Sequence, residues 1–246
     1  MALIIQFLIG LSIFSGLAKD KYPTIYMIGD STMADKGYSP SNPEKGWGQV
    51  FPLYLNDDIR VQNHAVNGRS SKSFRDEGRW DVVIAQVQEG DYVIIQFGHN
   101  DQKLEDPTRY TDPYRYKENL RLYITEVIDK GGHPILATPI ARRDYDERGM
   151  LVDTHMDYVS EVKALAAEMD IPLLDINKRT TELINIWGEV ESKLLFLHFS
   201  PGQYSRFPKG VVDNTHLSPI GAFKVCDLVV EEINSKIPEL TMYIKK

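Results

Sequence analysis

Cysteine is almost absent from this chain, which has one, Cys226, among its 246 residues. A single cysteine excludes an intramolecular disulfide and any cluster of thiolate metal ligands. The six histidines include no pair four positions apart, so the helical spacing typical of a zinc site is missing as well. The sequence therefore predicts a fold without disulfides, no metal site and no cofactor.

Basic residues are outnumbered, because 28 lysines and arginines stand against 35 aspartates and glutamates, for a formal net charge of −7. Nucleic-acid binding depends on lysine and arginine displacing phosphate counterions, so this balance argues against a nucleic-acid partner. It argues more weakly against an acidic polymer as substrate, because a local basic patch can override the effect of net charge.

Charge is missing altogether from the first 17 residues, most of which are apolar. Gly16 and Ala18 put small residues three and one positions before a possible cleavage site, and Lys19 begins the first charged segment. This pattern predicts a secretory signal peptide over residues 1–18. We therefore expect an exported bacterial protein, periplasmic or extracellular, and the lack of a disulfide fits the periplasm better than a disulfide-rich secreted scaffold.

One element of a signal peptide is absent, because no lysine or arginine precedes the apolar stretch. The alternative is an uncleaved membrane anchor, although the stretch is short for a span of about 20 residues. After residue 18 no segment is long and apolar enough to cross a membrane, so we expect no stable membrane insertion once the peptide is removed.

Residues 19–246 contain no repeat and no low-complexity linker, which predicts one folded domain. Short apolar runs alternate with helical patterns, and this alternation implies a parallel sheet covered by helices on both faces. The predicted strands are 24–28, 60–65, 92–97, 134–138 and 172–174, and the predicted helices are 47–55, 80–87, 114–128, 158–169 and 219–233.

Ligands of such folds bind beyond the carboxyl ends of the strands, so the residues that follow each strand are the candidates for binding and catalysis. Four short segments there, or before the last helix, carry polar or reactive side chains. They are Gly29-Asp30-Ser31-Thr32 after the first strand, Asn67-Gly68-Arg69-Ser70 after the second, Gly98-His99-Asn100-Asp101 after the third, and Asp213-Asn214-Thr215-His216 before the last helix.

A serine hydroxyl becomes a strong nucleophile when a base removes its proton, and a carboxylate must hold that base in the right tautomer. Ser31 stands where the first strand is expected to turn into a helix, so its hydroxyl would project into a cleft. Asp213 and His216 are three residues apart, about one turn, so Asp213 can accept from one imidazole nitrogen while the other faces Ser31. These three residues predict a catalytic triad.

The tetrahedral intermediate of such a reaction needs hydrogen-bond donors directed at its oxyanion. The candidates are the backbone N–H groups of Ser31 and Gly68 and the side-chain amide of Asn100. Each segment alone has a simpler explanation, as a turn, a loop cap or a local contact at a helix start. Their joint occurrence in this order favours catalysis.

The four segments resemble the four blocks of the GDSL, or SGNH, hydrolase superfamily. Ser31, Gly68, Asn100 and the Asp213–His216 pair match the family pattern, and Thr32 stands where the name-giving leucine would be. Three longer stretches, at 96–101, 138–143 and 213–218, resemble the rhamnogalacturonan acetylesterases more specifically.

This resemblance implies an α/β protein with a three-layer α/β/α fold around a five-stranded parallel sheet, of the flavodoxin-like type. It also implies a serine esterase with a Ser-His-Asp triad, without a metal, that removes acetyl groups from pectic polysaccharide. The implied partner is an acetylated polysaccharide or oligosaccharide, most directly acetylated rhamnogalacturonan.

Arginines follow the second and fourth predicted strands, on the expected ligand side. Arg69, Arg142 and Arg143 are candidates to bind galacturonate carboxylates through charge-assisted hydrogen bonds, and solvated surface arginines are the alternative. His99 is a candidate for shaping the pocket, although a structural hydrogen bond is the commoner role of such a residue. Asp101 is expected to hold the loop that presents Asn100.

Three aromatic residues, Trp47, Tyr204 and Phe207, are candidates to stack on sugar rings or, more commonly for such residues, to lie in the core. Two other functions also fit the family. A lipase-like or thioesterase-like member is disfavoured by the export signal and the lack of an apolar lid segment. A catalytically inactive carbohydrate-binding protein is disfavoured because it would not need the complete set of triad and oxyanion residues.

Overall fold

The computed structural model describes residues 22–245 of the chain. The predicted signal peptide at 1–18 lies outside the described residues. Within them, no helix combines the length and the apolar character that a membrane crossing requires.

Five parallel strands form the central sheet in the order β2-β1-β3-β4-β5. β1 and β3 are buried along their whole length because both faces of the sheet are covered, which accounts for their continuous apolar runs. All five predicted strands are present, and the predicted fold class is confirmed. The strands are β1 (Thr24–Gly29), β2 (Arg60–Asn63), β3 (Tyr92–Gln96), β4 (His133–Ala137) and β5 (Leu173–Leu174).

Helices cover both faces of the sheet, and each face has its own apolar core. Ile25 and Met27 of β1 point into the core built with α1, α6 and α7, whereas Tyr26 and Ile28 point into the core built with α2 to α5. The helices are α1 (Trp47–Val50), α2 (Ser71–Asp76), α3 (Arg79–Ile84), α4 (Pro113–Asp129), α5 (Met156–Met169), α6 (Ile176–Glu191), α7 (Pro219–Lys236) and α8 (Pro238–Thr241).

The four-residue helix α8 was not predicted, and neither were α2 and α6. Helices α2 and α6 both begin at a residue whose side chain caps the helix, because Ser70 accepts from the N–H of Ser73 and Asp175 accepts from the N–H of Lys178. These caps are readable in the sequence as helix starts. Gly188 interrupts the regular geometry of α6 near its carboxyl end.

A two-stranded antiparallel hairpin, β6 (Phe196–Phe199) and β7 (Val211–Leu217), lies outside the central sheet. The sequence predicted residues 213–216 as a turn at a helix start, so their place within β7 corrects that prediction. The adjacent residues Phe196 and Leu197 pair with Leu217 and Asp213, so 214–216 form a bulge in the strand. The bulge brings the ends of the segment together, as a helical turn would have done.

Candidate active site

The turn after β1 presents Ser31 at the carboxyl edge of the sheet. The N–H groups of Met33 and Ala34 both donate to the carbonyl of Asp30, at 3.2 and 3.0 Å, which closes a single turn. The next helix, α1, begins only at Trp47, so the predicted passage from strand directly into helix is wrong. The tight turn still holds Ser31 at the strand exit, where it is 8% exposed.

The bulge of β7 brings His216 to Ser31. The Nε2 atom of His216 is 2.9 Å from Oγ of Ser31, and Nδ1 is 2.7 Å from Oδ2 of Asp213. With the proton on Nδ1, the imidazole donates to Asp213 and offers a lone pair on Nε2 to the serine hydroxyl. The structure thus brings together the three residues of the predicted triad, in the geometry that proton removal from a serine requires.

Asp213 is held as a carboxylate by its neighbours. Burial raises its pKa, but hydrogen bonds from the side chain and N–H of His216 and from the N–H of Thr215 outweigh burial and lower the pKa to about 2. Asp213 therefore stays ionised at any pH near neutrality. Asp213 thus places a fixed negative charge on the Nδ1 side of His216.

The predicted oxyanion donors lie on the turns after β2 and β3. Gly68 has a φ of +75°, a conformation that favours glycine, and the turn that contains it is tied to β1 because the N–H of Val66 donates to the carbonyl of Gly29. Asn100 is buried, and its Nδ2 donates to the carbonyl of Arg69 at 3.1 Å. That bond orients the amide and leaves its second N–H as a further donor.

Asp101 organises the loop that presents Asn100. Its carboxylate accepts from the N–H and Oγ of Ser71, at 2.9 and 2.6 Å, and from the N–H of Gly98 at 3.1 Å. Burial raises the pKa of Asp101 to about 7, even though these donors lower it. The contacts match the expected loop-holding role and connect the loop to α2.

A buried polar network beneath the site was missed by the sequence reasoning. Gln96, at the end of β3, accepts from Nε1 of Trp47 at 2.8 Å and donates to the carbonyl of Thr138 at 3.0 Å. Trp47 is completely buried, so it does not stack on a sugar. The signal was present in the sequence as a glutamine at the end of an otherwise apolar strand.

Lys36 is a second residue that the sequence reasoning missed. Its side chain is 3% exposed and forms an ion pair with Glu44 at 2.8 Å. Its Nζ also donates to Oδ1 of Asn67, which directly precedes Gly68. Lys36 therefore connects the segment after Ser31 with the turn that carries Gly68.

Arg143 is 5% exposed, and its guanidinium donates to protein acceptors through all three nitrogens. Nε donates to Oγ of Ser192 at 3.1 Å, Nη1 to Oδ1 of Asn214 at 3.0 Å, and Nη2 to the carbonyl of Glu189. Its backbone N–H donates to the carbonyl of Asn214 at 2.9 Å. This geometry corrects the prediction that Arg143 binds substrate, because no side of the guanidinium is left open.

Asn214 lies inside the bulge between Asp213 and His216. Besides the bonds from Arg143, its Oδ1 is 2.7 Å from Nε2 of His198 on β6. Arg143 follows β4, so these contacts fasten the bulge to the sheet edge. We infer that Arg143 and His198 are positioning residues for the Asp213–His216 pair.

His99 and Arg142 also make internal contacts. His99 is 3% exposed, its Nδ1 lies 3.2 Å from Nε2 of His155, and burial lowers its pKa well below the usual range. Arg142 donates to Oε1 of Gln102, Oγ1 of Thr154 and the carbonyl of His99. His99 thus has the structural hydrogen bond named above as the commoner role of such a residue. Arg142 directs these donors to the segment behind the Asn100 loop, and its contact with substrate stays a prediction.

The other predicted contact residues differ in their surroundings. The Arg69 side chain is 30% exposed and pairs with Glu77 at 3.0 Å, so it remains available at the surface. Tyr204 packs edge-on against Phe199, and both Tyr204 and Phe207 are half-buried. In the part of the chain that the structure describes, no three His, Cys, Asp or Glu side chains are grouped so that they could hold a metal ion.

The model of the GDSL-like Lipase/Acylhydrolase family matches residues 27–222, which include all the residues brought together here. The chain belongs to this family. Its members are ester hydrolases, and the SGNH pattern predicted from the four segments is confirmed at the level of the family.

Two relatives of this esterase carry names that state a substrate. Rhamnogalacturonan acetylesterase RhgT of Bacillus subtilis (strain 168) is 40% identical over 210 residues, which cover 85% of this chain and 88% of RhgT. Probable rhamnogalacturonan acetylesterase YesY of the same strain is 35% identical over 223 residues, covering 90% of this chain and 97% of YesY.

The fold of the esterase is also found in a crystal structure of the protein YxiM from Bacillus subtilis, with a TM-score of 0.73 and 28% identity. The match covers 87% of this chain and 56% of YxiM, so the chain spans about half the length of that protein.

The positioning role of Arg143 predicts a loss of turnover in the variant Arg143→Lys. Lysine keeps the charge but lacks the planar fork that reaches three acceptors. A small shift of His216 should lower kcat on a chromogenic acetyl ester by about ten- to a hundredfold, with little change in KM.

Arg148→Lys is the matched control, because the side chain of that arginine is 85% exposed and donates to Asp146. Steady-state kinetics and thermal unfolding of both variants check the prediction. A kcat within twofold of the parent in folded Arg143→Lys would show that the bulge keeps its geometry without the hydrogen bonds of the Arg143 guanidinium.

Proposed function

We propose that this esterase removes O-acetyl groups from an acetylated pectic polysaccharide, rhamnogalacturonan, by a Ser-His-Asp acyl-enzyme mechanism. The single observation that carries the mechanism is the continuous pair of hydrogen bonds from Asp213 through His216 to Ser31.

In the proposed first step, Nε2 of His216 takes the proton of Ser31 as Oγ attacks the acetyl carbonyl carbon. The imidazolium formed is stabilised by Asp213, whose low pKa keeps it ionised. His216 then gives the proton to the sugar oxygen, which leaves as an alcohol, and the acetyl group stays on Ser31. Water, deprotonated by His216, then attacks the acyl-enzyme, and His216 returns the proton to Oγ of Ser31 as acetate leaves.

The oxyanion of each tetrahedral intermediate is proposed to accept from the N–H groups of Ser31 and Gly68 and from Nδ2 of Asn100. These groups come from the turns after three adjacent strands of the sheet, β1, β2 and β3. Their hydrogen-bonding environment is in place before substrate binds, so little reorganisation is needed during the reaction.

The choice of substrate is supported by the names of RhgT and YesY, to which the chain is similar over most of its length. The overall charge of −7 does not favour an acidic polymer, but Arg69 and Lys72 lie beside Gly68 on the same edge of the sheet. Both are paired with carboxylates, so these cations support binding of an acidic polymer through directed hydrogen bonds and not through a net positive charge.

Acetate release from a panel of substrates tests the proposal. We expect kcat/KM to be higher on acetylated rhamnogalacturonan than on acetylated xylan, and higher on a chromogenic acetyl ester than on a long-chain acyl ester. A preference for acetylated xylan would mean that the substrate is another acetylated polysaccharide. A preference for long acyl chains would favour a lipase-like enzyme.

The variant Ser31→Ala removes the proposed nucleophile while changing little in the fold. Loss of a triad member typically costs several orders of magnitude in kcat. Kinetics on the chromogenic acetyl ester and thermal unfolding measure both effects, with Ser235→Ala, an exposed serine in α7, as the control. If Ser31→Ala kept more than a few per cent of the parent activity, another group would have to be the nucleophile.

Asn100→Ala removes one proposed oxyanion donor. One such donor contributes roughly 3 kcal/mol in the transition state, so kcat should fall by at least about a hundredfold while KM changes little. The two constants are separated on the chromogenic acetyl ester. An increase confined to KM would mean that Asn100 binds the ground state of the substrate.

We also propose that the protein is exported and that residues 1–18 are removed as a signal peptide. The uncharged apolar start and the small residues Gly16 and Ala18 support this. Mass spectrometry of protein from a bacterial expression host should find a chain that begins at Lys19. An intact Met1 in the membrane fraction would indicate an anchor.

A further inference from the structure

A cleft of about 450 Å3 lies beside the proposed oxyanion donors. Gly68 and Arg69 form one side, α2 contributes Lys72, and the loop after β3 contributes Thr108 and Arg109. Since the carbonyl of Arg69 holds the amide of Asn100, this cleft adjoins the place proposed for the acetyl carbonyl. A sugar chain whose acetyl group is bound there can continue into the cleft.

Arg109 has unused donors that face the turn of Gly68. Its Nε pairs with Asp106 at 2.9 Å, and its Nη1 lies 3.4 Å from the point that a Cβ on Gly68 would occupy. Among residues 22–245, neither Nη1 nor Nη2 of Arg109 has a hydrogen-bond acceptor. The two nitrogens form the planar fork that binds a carboxylate through two parallel hydrogen bonds.

The other two cations of the cleft are more fully engaged. Arg69 pairs with Glu77 at 3.0 Å and donates to the carbonyl of Asn67, and Lys72 pairs with Asp76. Each of the three cations has an acidic partner, so the cleft is close to neutral overall. Attraction of an anion must therefore come from directed hydrogen bonds, and the free fork of Arg109 supplies them.

We propose that Arg109 binds the carboxylate of a uronate residue adjacent to the acetylated sugar. The inference rests on the proposed function, which makes a uronate-containing polymer the substrate. Gly68 leaves the approach open because it has no side chain between Arg109 and the oxyanion donors. Arg109 is thus a specificity-determining residue that recognises the charge of the polymer, and it takes no part in proton transfer.

The test compares two forms of one substrate, acetylated rhamnogalacturonan oligosaccharides with free carboxylates and the same oligosaccharides with methyl-esterified carboxylates. Acetate release gives kcat/KM for each form. In the parent enzyme the free-acid form should be the better substrate. We compare the ratio of kcat/KM for the free-acid form to kcat/KM for the methyl-esterified form. Arg109→Gln should lower this ratio by roughly tenfold, mainly through KM on the free-acid form, because a charge-assisted bidentate contact is lost.

Arg115→Gln is the matched control. Arg115 makes the same pairing with an aspartate three residues before it, Asp112, but its side chain is 80% exposed and lies outside the cleft lining. The ratio of kcat/KM on the free-acid form to kcat/KM on the methyl-esterified form should be the same in Arg115→Gln as in the parent. Thermal unfolding of both variants shows whether the loss of an exposed ion pair affects the fold.

Two results would overturn the inference. An unchanged ratio in folded Arg109→Gln would mean that the uronate carboxylate is not bound there, and equal losses on both substrate forms would mean that the cleft binds neutral sugar groups. In either case the proposed function stands. If the parent hydrolysed a chromogenic acetyl ester but released no acetate from either oligosaccharide, the proposed substrate itself would be wrong, and the uronate site with it.

Discussion

The hydrogen bond between Ser31 and His216 joins residues that are 185 positions apart in the chain. One end is held by the turn after strand β1, and the other by a bulge in a hairpin outside the sheet. A bond of 2.9 Å tolerates little movement of either end. Much of the structure around the site can be understood as fixing these two ends relative to each other.

Two sets of buried polar contacts fix the positions of Ser31 and His216 relative to each other. On the sheet side, Gln96 links the end of β3 to Trp47 and to the exit of β4. On the hairpin side, Arg143 joins the exit of β4 to Asn214 within the bulge. Both sets meet at the segment after β4, so that segment connects the sheet edge that carries Ser31 with the bulge that carries His216. Fully satisfied buried polar groups of this kind favour one arrangement, because any other would leave donors or acceptors unpaired.

The sequence predicted the parts of this arrangement that depend on local patterns. The strand at Tyr92–Gln96 was readable because it is β-branched and fully buried, and the turns after the strands followed from the parallel topology. The hairpin was not readable, because Val211–Leu217 alternates poorly and its partner strand is defined only by long-range pairing. The spacing of Asp213 and His216 was therefore interpreted as a helical turn. The contact between Asp213 and His216 was expected on a helical turn, and the structure forms it in a bulge of β7.

The roles of the arginines could not be separated by sequence either. Arg142 and Arg143 follow a strand just as Arg69 does, and charge alone makes all three candidates to bind an anion. Burial decides between them, since a guanidinium enclosed by the protein must use its donors internally. Exposure likewise distinguishes Arg109. It follows no strand directly, and its terminal nitrogens face a cleft and are not enclosed by the protein.

The three carboxyl groups near the site are differentiated in the same way, by their surroundings. Hydrogen bonds keep Asp213 ionised, whereas burial raises the pKa of Asp30 and raises that of Asp101 to about 7. The raised pKa values shift both of these carboxyl groups towards the neutral form relative to Asp213. In the proposed reaction the transition state places a negative charge on the oxyanion, and each further negative charge nearby would oppose it. This difference fits the proposed mechanism, in which negative charge belongs on Asp213, behind the imidazole, and would be unfavourable on Asp101, beside the loop of Asn100.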